Sequence, residues 1–145
     1  MLRPETKSRA RALQLLYAWE LQGRPGMPAV ASGLSRLTGP EPRILDRAEQ
    51  LANEVVAEVG TLDAEAARAS ENWRLSRIAV VERNILRLGI HELRRGEVPP
   101  KVAIDEAVRL AHWFGGERAP GFVNGVLDCV ARAIGVVSGP RPSGR

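Results

Sequence analysis

The sequence predicts an all-α protein of about seven helices, and two observations support this fold class. Apolar residues recur at the three- and four-residue spacing of a helix face along most of the 145-residue chain. No alternating, β-branched run bounded by turn residues occurs, so we predict no sheet. The single cysteine, Cys129, has no disulfide partner and lies on an apolar helix face, where we expect it to pack as a small hydrophobe.

The first helix is predicted from Pro4 to about Leu21. Proline is favoured in the first turn of a helix, and the glycines of the GRPG segment at 23–26 end it. The apolar face of this helix is predicted to hold Leu13, Leu16, Tyr17 and Leu21.

Four further helices precede the C-terminal third of the chain. They are predicted at about 30–37, at 44–59, in a short alanine-rich segment from 61, and at 75–93. We expect Gly60 to end the third helix and Thr61 to cap the fourth, with Asp63 in its first turn.

The segment 98–134 contains two amphipathic patterns joined by a glycine-rich hinge, GGERAPG, at 115–121. Two packed helices alone would leave most of their apolar surface in contact with water. We therefore expect the other helices to cover these two, and we predict one domain over 1–135 followed by a disordered tail at 136–145.

Basic residues cluster at the start of the first helix of a chain whose formal net charge is +4. They are Arg3, Lys7, Arg9 and Arg11, and only Glu5 opposes them. Lys7 and Arg11 are four apart and share a helix face, which Arg3 extends. The helix dipole disfavours cations at this end, so an anionic ligand would explain the cluster. The alternative is a solvated, frayed basic end.

Motifs for catalysis, metal binding and membrane insertion are missing from the sequence. It contains no P-loop, dinucleotide-binding glycine turn, CxxC pair or HExxH, and Asp105 and Glu106 are adjacent and so point about 100° apart on a helix. No apolar run is long enough for a membrane span, and no secretory signal is readable. We therefore expect a cytoplasmic protein that is not an enzyme and needs no cofactor or metal.

Three segments together resemble the NusB family of bacterial transcription antitermination factors. They are ALQLLYAWELQ at 12–22, VVERNILRLGIHEL at 80–93 and VPPKVAIDEAVRLAHWFGGERAPGFVNGVLD at 98–128. The resemblance implies two small helical bundles packed across each other. It also implies binding of the single-stranded boxA element of nascent RNA together with NusE, a small-subunit ribosomal protein, in the RNA polymerase antitermination complex that supports rRNA transcription.

The resemblance also implies binding residues. The family's arginine-rich RNA-binding motif falls on residues 5–9, where this sequence keeps Lys7 and Arg9, with Arg3 and Arg11 nearby. Arg118 in the hinge and Lys101 are candidates to compensate for the reduced motif. Phe122 could stack on a base, or it could be a core residue.

The surface that binds NusE is predicted on the polar side of the fifth helix, with Glu82, Arg83 and Arg87 as candidates. A solvated helix face explains the same residues.

Two other functions stay open at this point. One is the NusB-like domain of an rRNA cytosine methyltransferase, which we do not expect because the chain ends at Arg145 in a tail-like segment. The other is a helical module or homodimer that binds proteins but not RNA.

Overall fold

The computed structural model describes residues 2–38, 41–70 and 77–137, with only the backbone described at 35–38. All regular structure in these ranges is helical, which confirms the all-α prediction. The helices are α1 (Pro4–Leu21), α2 (Met27–Thr38), α3 (Pro42–Ala57), α4 (Val59–Ala69), α5 (Val80–Arg95), α6 (Pro100–Phe114) and α7 (Ala119–Ala133). They form two compact units, Met1–Glu58 with α1–α3 and Val59–Arg145 with α4–α7.

The predicted single domain over 1–135 stays a prediction. Most of the predicted tail, at 138–145, lies outside the described residues, as does Leu75, where we predicted that the fifth helix starts. Residues 77–79 are described and are not α-helical, so α5 starts later than predicted, at Val80.

In the first unit, α1 packs on α3 and α2. Its bounds agree with the prediction, because Pro4 occupies the first turn and Gly23 adopts a φ of 83° just after the helix. Leu13 and Leu16 are buried as predicted. The prediction is wrong for Tyr17 and Leu21, whose large side chains are exposed.

The junction between α3 and α4 also differs from the prediction. We expected Gly60 to end a helix and Thr61 to cap the next one, but both residues lie inside α4, which begins at Val59. Asp63 is consequently in the second turn of α4 rather than the first. This position frees its carboxylate to bind a side chain of α5 instead of the helix N-terminus.

In the second unit, α5 is the central helix and packs against α4, α6 and α7. Every residue from 84 to 91 is buried. Gly89 permits this packing, because a Cβ atom there would lie 2.6 Å from Cδ1 of Leu127 and 3.4 Å from the Cβ of Ala107. Leu127 is fully buried and has little room to move.

Replacing Gly89 by valine is expected to lower the free energy of unfolding by about 1–3 kcal/mol, because the new side chain overpacks the contact with Leu127. Gly125 in α7 is the matched control, since no atom lies within 4 Å of a Cβ atom built there. Gly125→Ala should raise the free energy of unfolding by about 0.5–1 kcal/mol through helix propensity. Urea denaturation measures both variants, and equal effects of the same sign would contradict the packing role of Gly89.

Candidate nucleic-acid interface

Three basic side chains lie in one line on the solvent side of α1, and we call Arg3, Lys7 and Arg11 the basic face. They follow one another at four-residue intervals, about one helical turn. The amide of Lys7 donates to the carbonyl oxygen of Arg3 at 3.1 Å, so the line starts at the helix N-cap. Arg3 is exposed, and Lys7 and Arg11 are half-buried. The predicted shared face of Lys7 and Arg11 is confirmed.

The charges of the basic face are only weakly neutralised. The Nζ atom of Lys7 lies 3.7 Å from Oε2 of Glu41, and the two side chains are 40% and 47% exposed. An exposed ion pair of this kind contributes little and is screened by salt. Arg11 donates from Nη1 to the neutral amide oxygen of Gln14 at 2.9 Å. These contacts leave the positive charge available to an anionic ligand.

Arg9 does not belong to the basic face. It is two residues from Lys7, so the two side chains leave the helix about 200° apart. Its neighbours at three, four and seven residues are Thr6, Leu13 and Leu16, which are all buried. Arg9 is itself half-buried on this side of α1. Its contact with RNA stays a prediction, and its placement differs from that of the other three basic residues.

Arg43 is a basic residue that the sequence analysis missed as a candidate. Glu41 is the N-cap residue of α3, so its ion pair with Lys7 places the N-terminal ends of α1 and α3 side by side. Arg43 in the first turn of α3 is exposed, and it makes no ion pair within the described part of the chain. Local spacing cannot reveal this pairing of two helix ends. Three helices joined by short connections, however, bring the first and third ends together.

The hinge between α6 and α7 is shorter than predicted, because α7 begins at Ala119 and only residues 115–118 connect the helices. The amide of Gly115 donates to the carbonyl of Ala111 at 2.9 Å, and the amide of Ala119 donates to the carbonyl of Gly116 at 3.0 Å. A Cβ atom at 115 would lie 2.6 Å from the Cβ of Ala119, so this close turn requires glycine. Arg118 is exposed in the turn.

The other two candidates of the second unit have mixed surroundings. Lys101 is 87% exposed in the first turn of α6 and pairs with Asp105, with 3.4 Å between Nζ and Oδ2. Phe122 is half-buried in the first turn of α7. Phe122 is thus less exposed than we expect for a base-stacking residue and less buried than we expect for a core residue.

The exposed position predicted for Arg87 is wrong. Its side chain is buried, with 1% of the residue exposed, because α5 is covered on several sides. Nε and Nη2 donate to the two carboxylate oxygens of Asp63 at 2.7 and 2.9 Å, and Nη1 donates to Oδ1 of Asn84 at 2.9 Å. Arg87 therefore joins α4 to α5 inside the second unit and is not available as a surface contact.

Glu82 and Arg83 are half-buried at the start of α5. Arg83 donates from Nη1 to the carbonyl of Ile78 at 3.1 Å. Oε1 of Glu82 accepts a hydrogen bond from the amide of Gly116 at 3.2 Å. One of the predicted partner contacts is thus bonded to the hinge.

Exposed apolar side chains, which the sequence analysis did not assign to a surface, lie on α1 and α6. Tyr17 and Leu21 are 39% and 59% exposed and four residues apart on α1. At the end of α6, the exposed rings of Trp113 and Phe114 meet edge to face at 6.4 Å, and Arg109 lies over the Trp113 ring at 5.8 Å. Clusters of this kind are typical of interaction sites.

The described residues contain no group of three or more histidine, cysteine, aspartate or glutamate side chains arranged to hold a metal ion. Within the same residues, no helix combines the length and the apolarity needed to cross a membrane.

Comparison with known proteins extends these observations. The family model described as the NusB family matches residues 6–132. The transcription antitermination protein NusB of Sorangium cellulosum is 42% identical over 134 residues, which cover 92% of this chain and 95% of that protein. The corresponding protein of an Anaeromyxobacter species is 40% identical over 129 residues, covering 89% and 90% of the two chains.

Solved structures give the same result. The solution structure of NusB from Aquifex aeolicus has a TM-score of 0.81 at 27% identity, covering 98% of this chain and 97% of that one. A crystal structure of antitermination factors NusB and NusE in complex with dsRNA matches with a TM-score of 0.80 at 27% identity, covering 92% and 99%. With the family model, the relatives and the fold in agreement, the chain belongs to the NusB family.

Proposed function

We propose that this protein is a transcription antitermination factor that binds boxA-type single-stranded RNA together with the ribosomal protein NusE and so supports rRNA transcription. The observation that carries the proposal is the basic face of α1, where three cations in one line have, among the described residues, one acidic partner, the exposed Glu41. Family membership supports it, because relatives are antitermination proteins and a similar structure is a complex of NusB, NusE and RNA.

The basic face and Arg43 are suited to bind RNA phosphates, because each contact that neutralises a phosphate releases condensed counterions. In the second unit, Arg118 and Lys101 are the corresponding candidates, and Phe122 is the candidate for base stacking. Arg9 stays in the proposal as a residue of the RNA-binding end of α1, in a supporting position on its buried side.

Each unit offers its own candidate contacts with NusE. In the first unit these are Tyr17 and Leu21 on α1, and in the second unit they are Glu82 and Arg83 on α5. Aromatic side chains are enriched in the cores of protein interfaces, and charged side chains at the rim set specificity. Burial removes Arg87 from this set.

The protein then acts as an adaptor in the cytoplasm without a catalytic step of its own. It joins the RNA polymerase antitermination complex through nascent RNA and NusE. When free of these partners it can form a homodimer, which sedimentation at several protein concentrations would detect.

A titration of labelled boxA RNA with the full chain tests the proposed function. We expect tighter binding in the presence of NusE and a loss of affinity as salt rises from about 50 to 200 mM, because phosphate contacts dominate. A scrambled RNA of the same length is the control for sequence preference. Absence of RNA binding with NusE present, at both salt concentrations, would reject the proposal.

A further inference from the structure

We infer that Glu82 is a positioning residue of the RNA-binding hinge, in which its carboxylate holds the Gly116 amide and so fixes the turn that carries Arg118. The inference rests on the proposed function and adds a residue that acts through the hinge rather than by touching RNA.

Glu82 contacts the hinge from another helix. Oε1 of Glu82, at the start of α5, accepts a hydrogen bond from the Gly116 amide at 3.2 Å. The two residues are 34 positions apart, so this bond ties the hinge to a different helix. Within the second unit, α5 is the most deeply packed helix and offers a rigid anchor.

Gly116 also begins the turn that carries Arg118. The carbonyl of Gly116 accepts the amide of Ala119 at 3.0 Å, which closes a four-residue turn over 116–119. Arg118 is the third residue of this turn, and its φ of −92° and ψ of −4° match the third position of a type I turn. Gly116 is therefore held on both sides, by Glu82 through its amide and by Ala119 through its carbonyl.

The hydrogen bond from Gly116 to Glu82 restrains a flexible part of the backbone. Gly115 and Gly116 are consecutive glycines, which sample far more backbone conformations than other residues. Without the Glu82 carboxylate, the Gly116 amide would bond to water and the turn would lose its link to α5. Arg118 would then have to be ordered when RNA binds, and this ordering weakens affinity.

The direction in which Glu82→Ala changes the RNA affinity shows whether Glu82 acts by positioning the hinge or only through its negative charge. Glu82→Ala raises the formal net charge of +4 by one unit, which by itself favours RNA binding. The loss of positioning acts in the opposite direction and should weaken binding of boxA RNA about three- to tenfold. Glu82→Gln keeps an acceptor oxygen and should bind RNA nearly as well as the wild type.

Glu117 provides the matched control, because it is an exposed acid in the same hinge. Glu117→Ala makes the same charge change as Glu82→Ala and should leave RNA binding unchanged or tighter. Arg118→Ala should weaken binding, and adding Glu82→Ala to it should have little further effect, because the residue being positioned is already gone.

The experiment measures boxA RNA binding by fluorescence anisotropy for the full-length wild type and these variants, at a NusE concentration that saturates each of them. Hydrogen exchange of the Gly116 amide, which needs no RNA, should be faster in Glu82→Ala and near wild type in Glu82→Gln. Circular dichroism and thermal melting check that each variant folds.

Three results would overturn the inference: RNA binding by Glu82→Ala as tight as by the wild type, equal losses in the glutamine and alanine variants, or additive losses for Glu82→Ala and Arg118→Ala. If the wild type binds no boxA RNA, the proposed function fails instead, and Gly116 exchange still decides whether Glu82 holds the hinge.

Discussion

Replacing Asp63 by alanine is expected to lower the free energy of unfolding by about 3–5 kcal/mol, because it removes the carboxylate that binds a buried guanidinium through both oxygens. The Arg87 guanidinium binds both carboxylate oxygens of Asp63, and 2% of the Arg87 side chain is exposed. The hydrogen bond from Nη1 to Asn84 is a contact with a neutral amide, so it does not replace the carboxylate. Urea denaturation followed by circular dichroism measures the loss.

Variants of Arg87 separate the contribution of the Asp63–Arg87 ion pair to stability from that of the packing around it. Arg87→Ala should cost less than Asp63→Ala, because the Asp63 side chain is 25% exposed and water can solvate it. Asp63→Ala combined with Arg87→Met removes both charges and fills the volume with an apolar chain, and it should recover most of the lost stability.

Asp105→Ala removes the acid of the exposed pair with Lys101 and should change stability very little. If Asp63→Ala were as mild as this control, the buried network would not contribute to the stability of the second unit.

The two ends of α1 and part of its buried face were predictable, because they depend on neighbours in the chain. The bounds of α1 follow from Pro4 and Gly23, and the burial of Leu13 and Leu16 follows from their spacing. The spacing of residues along the chain did not predict burial where burial depends on how many helices pack around a helix. Arg87 was predicted to be exposed because it is charged, but α5 is covered by three helices, and the carboxylate that balances Arg87 is 24 residues away.

The candidate interface also contains residues that the sequence predicts and residues that it cannot place. The basic face follows from the four-residue interval between Arg3, Lys7 and Arg11, so the sequence alone predicts it. Arg43 and Glu82 could not be placed by local pattern. Each takes its role from a contact between helices, the Lys7–Glu41 pair for one and the hydrogen bond to Gly116 for the other.

Reversing two charges of the basic face, with Lys7→Glu and Arg11→Glu, is expected to weaken binding of boxA RNA by an order of magnitude or more. Each phosphate contact to single-stranded nucleic acid contributes about 0.7 to the slope of log affinity against log salt concentration. Loss of two contacts should therefore flatten this slope by about 1.4. The affinity for NusE, measured without RNA, should stay close to that of the wild type.

Arg94 and Arg95 in the last turn of α5 supply a control with the same change of net charge. Both are exposed, and neither belongs to the candidate interface. If RNA binding depends on where the cations are placed, Arg94→Glu with Arg95→Glu should leave the salt slope nearly unchanged. Equal losses of affinity and slope in both double variants would instead show that RNA responds to net charge, and the basic face would lose its assigned role.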